Sequence, residues 1–412
     1  MTIERLLNKF RFRSLFFFLT IIHYGYSQPL SEEIMDFGTN PGNLSLFYYA
    51  PKTVNENAPM VVVLHGCGQG ATAAAELTGW NKLADEYGFY VMYPQQHFPN
   101  NPQHCFNWFK NNEIERGKGE CESIKQMVDY MLKKFKLDTK NIFVTGMSAG
   151  AAMSVVMIAT QPGMFKAAAI FAGGPYKPGS NIFSSSGSMV WGVNKTPEEW
   201  GDLVWRQNPA FKGKYPRVII FHGTKDPVVN FRSAQEIVEQ WTYLHNADSV
   251  PTVIDTAYLG APDITRFSYQ NKEREEAVVF YKVKDLGHAV PVNPGECNNE
   301  GGKTAIFATD KKFYSTFYTA CEFGLIPDWN VQGPKEIAPG TNVKFSIPTA
   351  GAKKAYINTW KFPADCKVIG DNTGTTLELI WGKTNGKVTL EEMAPNGCRY
   401  YHSTIEVKLK NN

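Results

Sequence analysis

The chain has 412 residues, long for one domain and enough for a catalytic domain with a smaller companion. With 43% hydrophobic, 13% aromatic and 20% charged residues its composition is globular, which excludes a collagen-like, wholly disordered or multi-span membrane protein. The formal net charge of +3 vanishes once the first 27 residues are set aside, because they hold Arg5, Lys9, Arg11 and Arg13 against Glu4 alone, so no nucleic-acid partner is expected.

Those 27 residues have the pattern of a signal peptide: a basic stretch to Arg13, an apolar run over 15–22, and Gly25-Tyr26-Ser27 before Gln28. The run falls far short of the roughly 20 residues that span a bilayer, and no later stretch is long and apolar enough. A secreted protein, extracellular or periplasmic, is expected, with no membrane contact once the signal is removed. No cysteine stands at the cleavage site, so a lipid anchor is not expected.

Between residues 58 and 290, β-rich apolar runs at 61–64, 89–93, 142–145, 167–171, 217–221 and 277–283 alternate with helical patterns at 72–86, 123–135, 149–160 and 233–245. That βαβα order predicts an α/β fold, a mostly parallel sheet with helices on both faces. After about residue 325 the pattern changes to short strands at 343–347, 355–360, 376–381, 387–391 and 402–409, separated by turn residues such as Asn385-Gly386. A small all-β sandwich with immunoglobulin-like spacing is expected there. The organisation read from the chain is signal peptide 1–27, catalytic domain 28–326 and β-sandwich 327–412.

Seven cysteines in an exported chain favour disulfides. The domain split leaves Cys366 and Cys398 as each other's local partners, and Cys297 with Cys321 and Cys67 with Cys105 are the further expected pairs. None of these spacings is the tight pair of a zinc site, and neither a metal nor another cofactor is expected.

Gly146-Met147-Ser148-Ala149-Gly150 follows the run at 142–145 and opens the Ala-rich helix, the strand-turn-helix setting of a nucleophile elbow. The glycines permit the sharp turn that exposes the serine oxygen, and the helix N-terminus favours negative charge there. Such a serine needs an acid and then a histidine further along the chain. Four histidines follow it: His222 precedes the acid, His245 lies in an amphipathic helix and His402 belongs to the accessory domain. His288 remains, in a glycine-hinged loop after a strand. Asp226 is the expected acid, since Gly223-Thr224-Lys225-Asp226-Pro227 turns directly after the run at 217–221, and catalytic groups of open α/β sheets gather at carboxyl ends of strands. The run at 61–64 leads into His65-Gly66-Cys67-Gly68-Gln69-Gly70, whose glycines let backbone N–H groups approach a ligand, so the amides of Cys67 and Ala149 are the expected oxyanion donors.

With these, Tyr93-Pro94-Gln95-Gln96, Cys105-Phe106-Asn107-Trp108-Phe109, Arg116-Gly117, His222 to Val229 and Gly287 to Pro291 resemble the secreted esterase family of poly(3-hydroxybutyrate) depolymerases, feruloyl esterases and acetylxylan esterases. The resemblance spans about residues 36–325. It implies an α/β-hydrolase fold, Ser148 as nucleophile, His288 as base, Asp226 as its acid, Cys67 and Ala149 as oxyanion donors and Trp108 beside the cleft. Cys121 departs from the family pattern and is the expected unpaired thiol. Around Trp360-Lys361-Phe362-Pro363 the C-terminal part resembles PKD-like modules.

Trp108, Trp191, Trp205 and Tyr176 could line a groove by stacking on flat ligands, against the alternative of core packing. The expected function is a serine carboxylesterase acting through an acyl-enzyme on a polymer. Feruloyl or acetyl esters of plant xylan are preferred, because no Ser/Thr-rich linker suggests a polyester-adsorbing module, and a poly(3-hydroxybutyrate)-type polyester is the alternative. A catalytically dead glycan-binding module and a peptidase on the same fold are the rivals.

Overall fold

The computed structural model describes residues 30–410 except 55, 180–181, 327–329, 348–355, 371 and 403. The signal peptide and the junction read at residue 327 lie outside the described residues.

Nine strands form the main sheet: β1 (Ser45–Tyr49), β2 (Ala58–Leu64), β3 (Tyr90–Gln95), β4 (Leu137–Met147), β5 (Ala167–Phe171), β6 (Arg217–Gly223), β7 (Val253–Thr256), β8 (Ile264–Gln270) and β9 (Glu276–Val283). Their order is β1-β3-β2-β4-β5-β6-β9-β8-β7. The six from β3 to β9 run parallel, while β1 at one edge and β8 and β7 at the other are antiparallel. Among the described residues nine α-helices lie in the same part of the chain: α1 (Ala71–Thr78), α2 (Trp80–Tyr87), α3 (Asn111–Ile114), α4 (Gly119–Lys134), α5 (Ala149–Thr160), α6 (Ile182–Trp191), α7 (Pro197–Trp205), α8 (Arg232–Leu244) and α9 (Ser315–Phe323).

The central strands are buried on both faces, which is why they read as unbroken apolar runs. Met60, Val62 and Leu64 of β2 point into one core with α4, α5 and α8, while Val61 and Val63 point into the other with α1, α2 and α9. Every residue of α5 is buried, so this helix is apolar all round. The helix expected over 72–86 is two helices, broken where Gly79 takes φ 70°. A side chain there would also meet the backbone N of Gly302, 2.9 Å from a Cβ.

After β9 come a small parallel pair, β10 (Val290–Val292) and β11 (Ala308–Asp310). The C-terminal region then builds two further sheets. One joins β12 (Glu336–Ile337), β19 (Ile405–Leu409), β17 (Gly386–Met393) and β14 (Ile357–Lys361), with β18 (Arg399–Tyr401) beside β17; the other joins β13 (Asn342–Ser346), β16 (Thr376–Ile380) and β15 (Lys367–Val368). Phe345, Leu377 and Leu379 from one and Trp360, Leu390 and Val407 from the other enclose a separate core.

Two disulfides are present. Cys67–Cys105 is the expected one, but the other joins Cys297 to Cys398, with Cα atoms 5.6 Å apart, so the Cys366–Cys398 and Cys297–Cys321 pairings are incorrect. Cys398 closes a turn in which Ala394 N–H donates to the Cys398 carbonyl, and that turn faces the 293–301 loop: Asn299 Nδ2 donates to the Arg399 carbonyl at 2.7 Å. The bridge therefore staples the C-terminal sheets to the main unit. Cys366 is a free thiol, as are the buried Cys121 and Cys321. Among the described residues no helix is long and apolar enough to cross a membrane.

Candidate active site

Ser148 stands between β4 and α5 with φ 55° and ψ −119°, a conformation that L residues avoid and that surrounding structure must enforce. Its N–H donates to the Phe171 carbonyl at 2.9 Å and its carbonyl accepts from Ala152 N–H, also at 2.9 Å. The flanking glycines make the turn possible by what they lack. A Cβ on Gly146 would run into the Gly150 carbonyl, and one on Gly150 would run into the Leu64 and His65 carbonyls. The elbow and the end of β2 are thus in backbone contact.

Asp226 and His288 come from the ends of β6 and β9, neighbours in the sheet. Thr224 N–H donates to the Val283 carbonyl and Lys225 N–H to the Leu286 carbonyl, both at 3.0 Å, zipping the two loops together. Gly223 is required there, because a Cβ would meet the Gly287 carbonyl oxygen at 2.7 Å. Asp226 Oδ2 then accepts from His288 Nδ1 at 2.8 Å, while its Oδ1 accepts the N–H groups of Val228 and Val229 at 2.8 and 2.9 Å. Burial would raise the Asp226 carboxyl, but His288 and these two N–H groups outweigh it and hold the pKa below its ordinary value.

The remaining histidines make their hydrogen bonds elsewhere, although His222 Nε2 also lies 3.7 Å from Asp226 Oδ2. His222 is buried, with Nε2 2.9 Å from the Val229 carbonyl, and burial lowers its pKa. His245 Nε2 lies 3.0 Å from the Pro216 carbonyl, and His402 Nε2 lies 2.9 Å from Glu392 in the C-terminal sheets. His288 is the one bonded to an acid at the carboxyl end of the main sheet.

Beyond β2, Gly66 N–H donates to Gln69 Oε1 at 2.8 Å and Gly68 N–H to the Gln103 carbonyl at 2.7 Å, which shapes the turn at Cys67. His65 Nε2 accepts from Gln96 N–H at 3.1 Å, so Nδ1 carries the proton and donates to the Gly66 carbonyl at 2.8 Å. Burial pushes the His65 pKa down to about 4 and keeps the ring neutral. Ala149 is the first residue of α5, where N–H groups have no partner within the helix.

The aromatic residues divide. Trp108 is almost buried, with Phe109 edge-on at 5.6 Å, and Tyr176 is a core residue whose hydroxyl donates to the Ile114 carbonyl at 2.9 Å. Tyr176 therefore packs and lines no groove. Trp191 and Trp205 are 82% and 49% exposed.

The profile of the Esterase PHB depolymerase family matches residues 44–252, half of the chain, including Ser148 and Asp226. The chain belongs to this family. This esterase is 42% identical over 294 residues to the poly(3-hydroxyalkanoate) depolymerase C of Paucimonas lemoignei, covering 71% of the chain and 70% of that protein. It is 35% identical over 225 residues to the acetylxylan esterase of Coprinopsis cinerea, covering 53% and 60%. A solved acetyl xylan esterase from Aspergillus awamori superposes with a TM-score of 0.59 at 25% identity, covering 64% of this chain and 95% of that one. The protein is a carboxylic ester hydrolase with the α/β-hydrolase fold.

Sequence reading passed over a buried polar cluster in this esterase. Gln96 and Asn107 sit in motifs that resemble the family but received no role. Glu120 gave no signal, because an acid in the first turn of a helix looks like an exposed dipole partner.

Proposed function

We propose that this esterase cleaves the backbone esters of a poly(3-hydroxyalkanoate) through an acyl-enzyme. The observation that carries the mechanism is the 2.8 Å bond from His288 Nδ1 to Asp226, at the same carboxyl edge of the parallel sheet as the strained elbow serine. Asp226 holds the imidazole with its proton on Nδ1, leaving Nε2 to take the Ser148 proton as Oγ attacks the ester carbonyl. The amides of Cys67 and Ala149 receive the oxyanion. Collapse expels the alcohol end of the polymer, protonated by His288, and leaves the acyl group on Ser148; water, activated by the same imidazole, releases the acid.

The polyester reading rests on the 42% identity to the depolymerase, together with an apolar rim. Phe183 and Trp191 of α6 are 87% and 82% exposed, and Val228 in the Asp226 loop is exposed too. Asn230 N–H donates to the Met189 carbonyl at 2.7 Å, joining α6 to that loop. Apolar side chains facing water next to the catalytic acid suit a solid aliphatic polymer. Acetyl or feruloyl esters of xylan are the second reading, favoured by the superposition on the acetyl xylan esterase. Mass spectrometry after parallel incubation with polyhydroxybutyrate, acetylxylan and feruloylated arabinoxylan decides between them. Release of 3-hydroxybutyrate and its oligomers is expected; acetate or ferulate without hydroxybutyrate would overturn the polyester assignment.

The N-terminal signal pattern and the two disulfides support secretion. The C-terminal β-sandwich is an accessory domain. Its separate core and the position of every proposed catalytic residue before Ile326 support this. A chain ending at residue 326 and carrying Cys297→Ser, which removes the orphaned thiol, is expected to turn over a soluble ester at close to the full-length rate. A folded truncated protein without that activity would end this assignment.

A further inference from the structure

Glu120 is 1% exposed, and every hydrogen bond to its carboxyl group comes from a donor. Oε2 accepts Asn107 N–H at 2.7 Å, and Oε1 accepts Asn107 Nδ2 and Gln96 Nε2, each at 2.5 Å. Among the described residues no cation pairs with its charge. The acid nearest it is Glu113, whose Oε2 accepts Glu120 N–H at 3.0 Å, and the adjoining Cys121 thiol is neutral because burial pushes its pKa up to about 12. A buried carboxylate without a counter-ion is costly and is sustained only by its N–H donors.

Those donors lead to the oxyanion loop by two routes. Gln96 Nε2 also donates to the Cys105 carbonyl at 3.1 Å, and Cys105 is bonded to Cys67. Gln96 N–H donates to His65 Nε2, and His65 Nδ1 donates to the Gly66 carbonyl, the peptide next to Cys67. His65, the other titratable ring in this chain of bonds, stays neutral. Asn107 itself precedes Trp108. The carboxylate is thus the common acceptor for both segments that flank the proposed oxyanion site, and its two oxygens cannot both be reproduced by an amide, which would turn an NH2 toward at least one of these donors.

We propose that Glu120 is a positioning residue which, as a carboxylate, fixes the 105–108 loop and through it the Cys67 amide that receives the oxyanion. This rests on the serine-esterase reading above. Burial pushes the Glu120 carboxyl up to about 7, against the lowering by its donors, so acidification below neutrality replaces the acceptor with a neutral acid. Rate then depends on two deprotonated groups, His288 and Glu120, where the triad alone would need one.

The test is kcat and KM for a p-nitrophenyl ester across about pH 5 to 9, for wild type, Glu120→Gln and Glu120→Asp, with circular dichroism and Tm as fold controls. In wild type the acid limb should be steeper than one proton. Glu120→Gln should lower kcat about tenfold, a fraction of the loss on deleting an oxyanion donor, leave KM nearly unchanged, and give a one-proton limb. Glu120→Asp should restore part of kcat and the steeper limb. A one-proton acid limb in wild type would overturn the proposal even if Glu120→Gln fails to fold. So would a folded Glu120→Gln with wild-type kcat, or one altered in KM alone. Ser148→Ala runs alongside: if it remains active the serine reading fails, whereas if it is dead and the Glu120 results are negative only the positioning role falls.

Discussion

Ser148→Ala yields a folded protein whose turnover of a soluble ester falls by on the order of 10³-fold or more. Alanine keeps the Cβ, so the φ 55° turn, the N–H bond to Phe171 and the packing of Gly146 on Gly150 are unchanged. Only the nucleophile is lost, and an oxyanion hole with substrate binding retains a small remnant of catalysis. His288→Ala should cost about as much, because members of a triad act as a unit and their losses do not add. Asp226→Asn should cost no more than these. Its amide must offer NH2 either to His288 Nδ1 or to the N–H groups of Val228 and Val229, so it either selects the wrong imidazole tautomer or breaks the turn. Initial rates on a p-nitrophenyl ester, with circular dichroism as the fold control, make the measurement. A Ser148→Ala protein with wild-type turnover and no contaminating hydrolase would end the serine mechanism.

The elements that the sequence revealed are those whose burial left a pattern. Strands β2 to β6 and β9 are covered on both faces, and their continuous Val, Ile and Phe runs stand out. The edge strands β1, β7 and β8 escaped notice. In β8, Thr265, Arg266 and Phe267 are all half-buried, so no clean alternation marks the strand. Helix α7 was legible and went unread: Thr196 and Glu199 form a capping box with Pro197 at its first turn, a signal present in the residues themselves. The split of α1 from α2 was marked by Gly79, but a lone glycine in a helical pattern also occurs in unbroken helices. The order of Ser148, Asp226 and His288 was legible because each sits at the end of a strand that could be read. The Cys297–Cys398 bridge was not, since a Cys366–Cys398 pair follows only if each domain pairs its own cysteines. What decides a bridge is Cα separation after docking, which spacing along the chain does not encode. Glu120 and Glu322 share that difficulty: each is an acid on a helix, and only tertiary packing turns it inward.

Glu322→Gln should destabilise the fold by about 3–5 kcal/mol while leaving ester turnover within about twofold, the outcome expected when one member of a buried charge cluster is removed far from the chemistry. Glu322, on α9, pairs with Arg217 at 2.6 Å and Arg266 at 3.0 Å and accepts the Tyr281 hydroxyl at 2.6 Å. Glu276 pairs with the same two arginines. Two cations thus balance two anions, and the amide variant leaves the arginines with one. Arg217 and Glu276 open β6 and β9, the ends of those strands opposite to the loops of Asp226 and His288, so the proposed catalytic geometry is insulated from the loss. Burial works to raise the Glu322 carboxyl, but Arg266 and Arg217 overcome it and hold the pKa at about 2. An acid held below its unfolded value contributes stability that is complete above the unfolded pKa and drains away as pH falls through the folded one. The contribution is therefore lost between about pH 4.5 and pH 2. Urea unfolding as a function of pH reads both effects: wild type should lose stability steeply across that window, whereas Glu322→Gln should start lower and lose less. A variant with the wild-type urea midpoint at neutral pH would show that the two arginines, which line a cavity of roughly 1090 Å³ together with Glu406 and Lys408 of β19, are satisfied without Glu322.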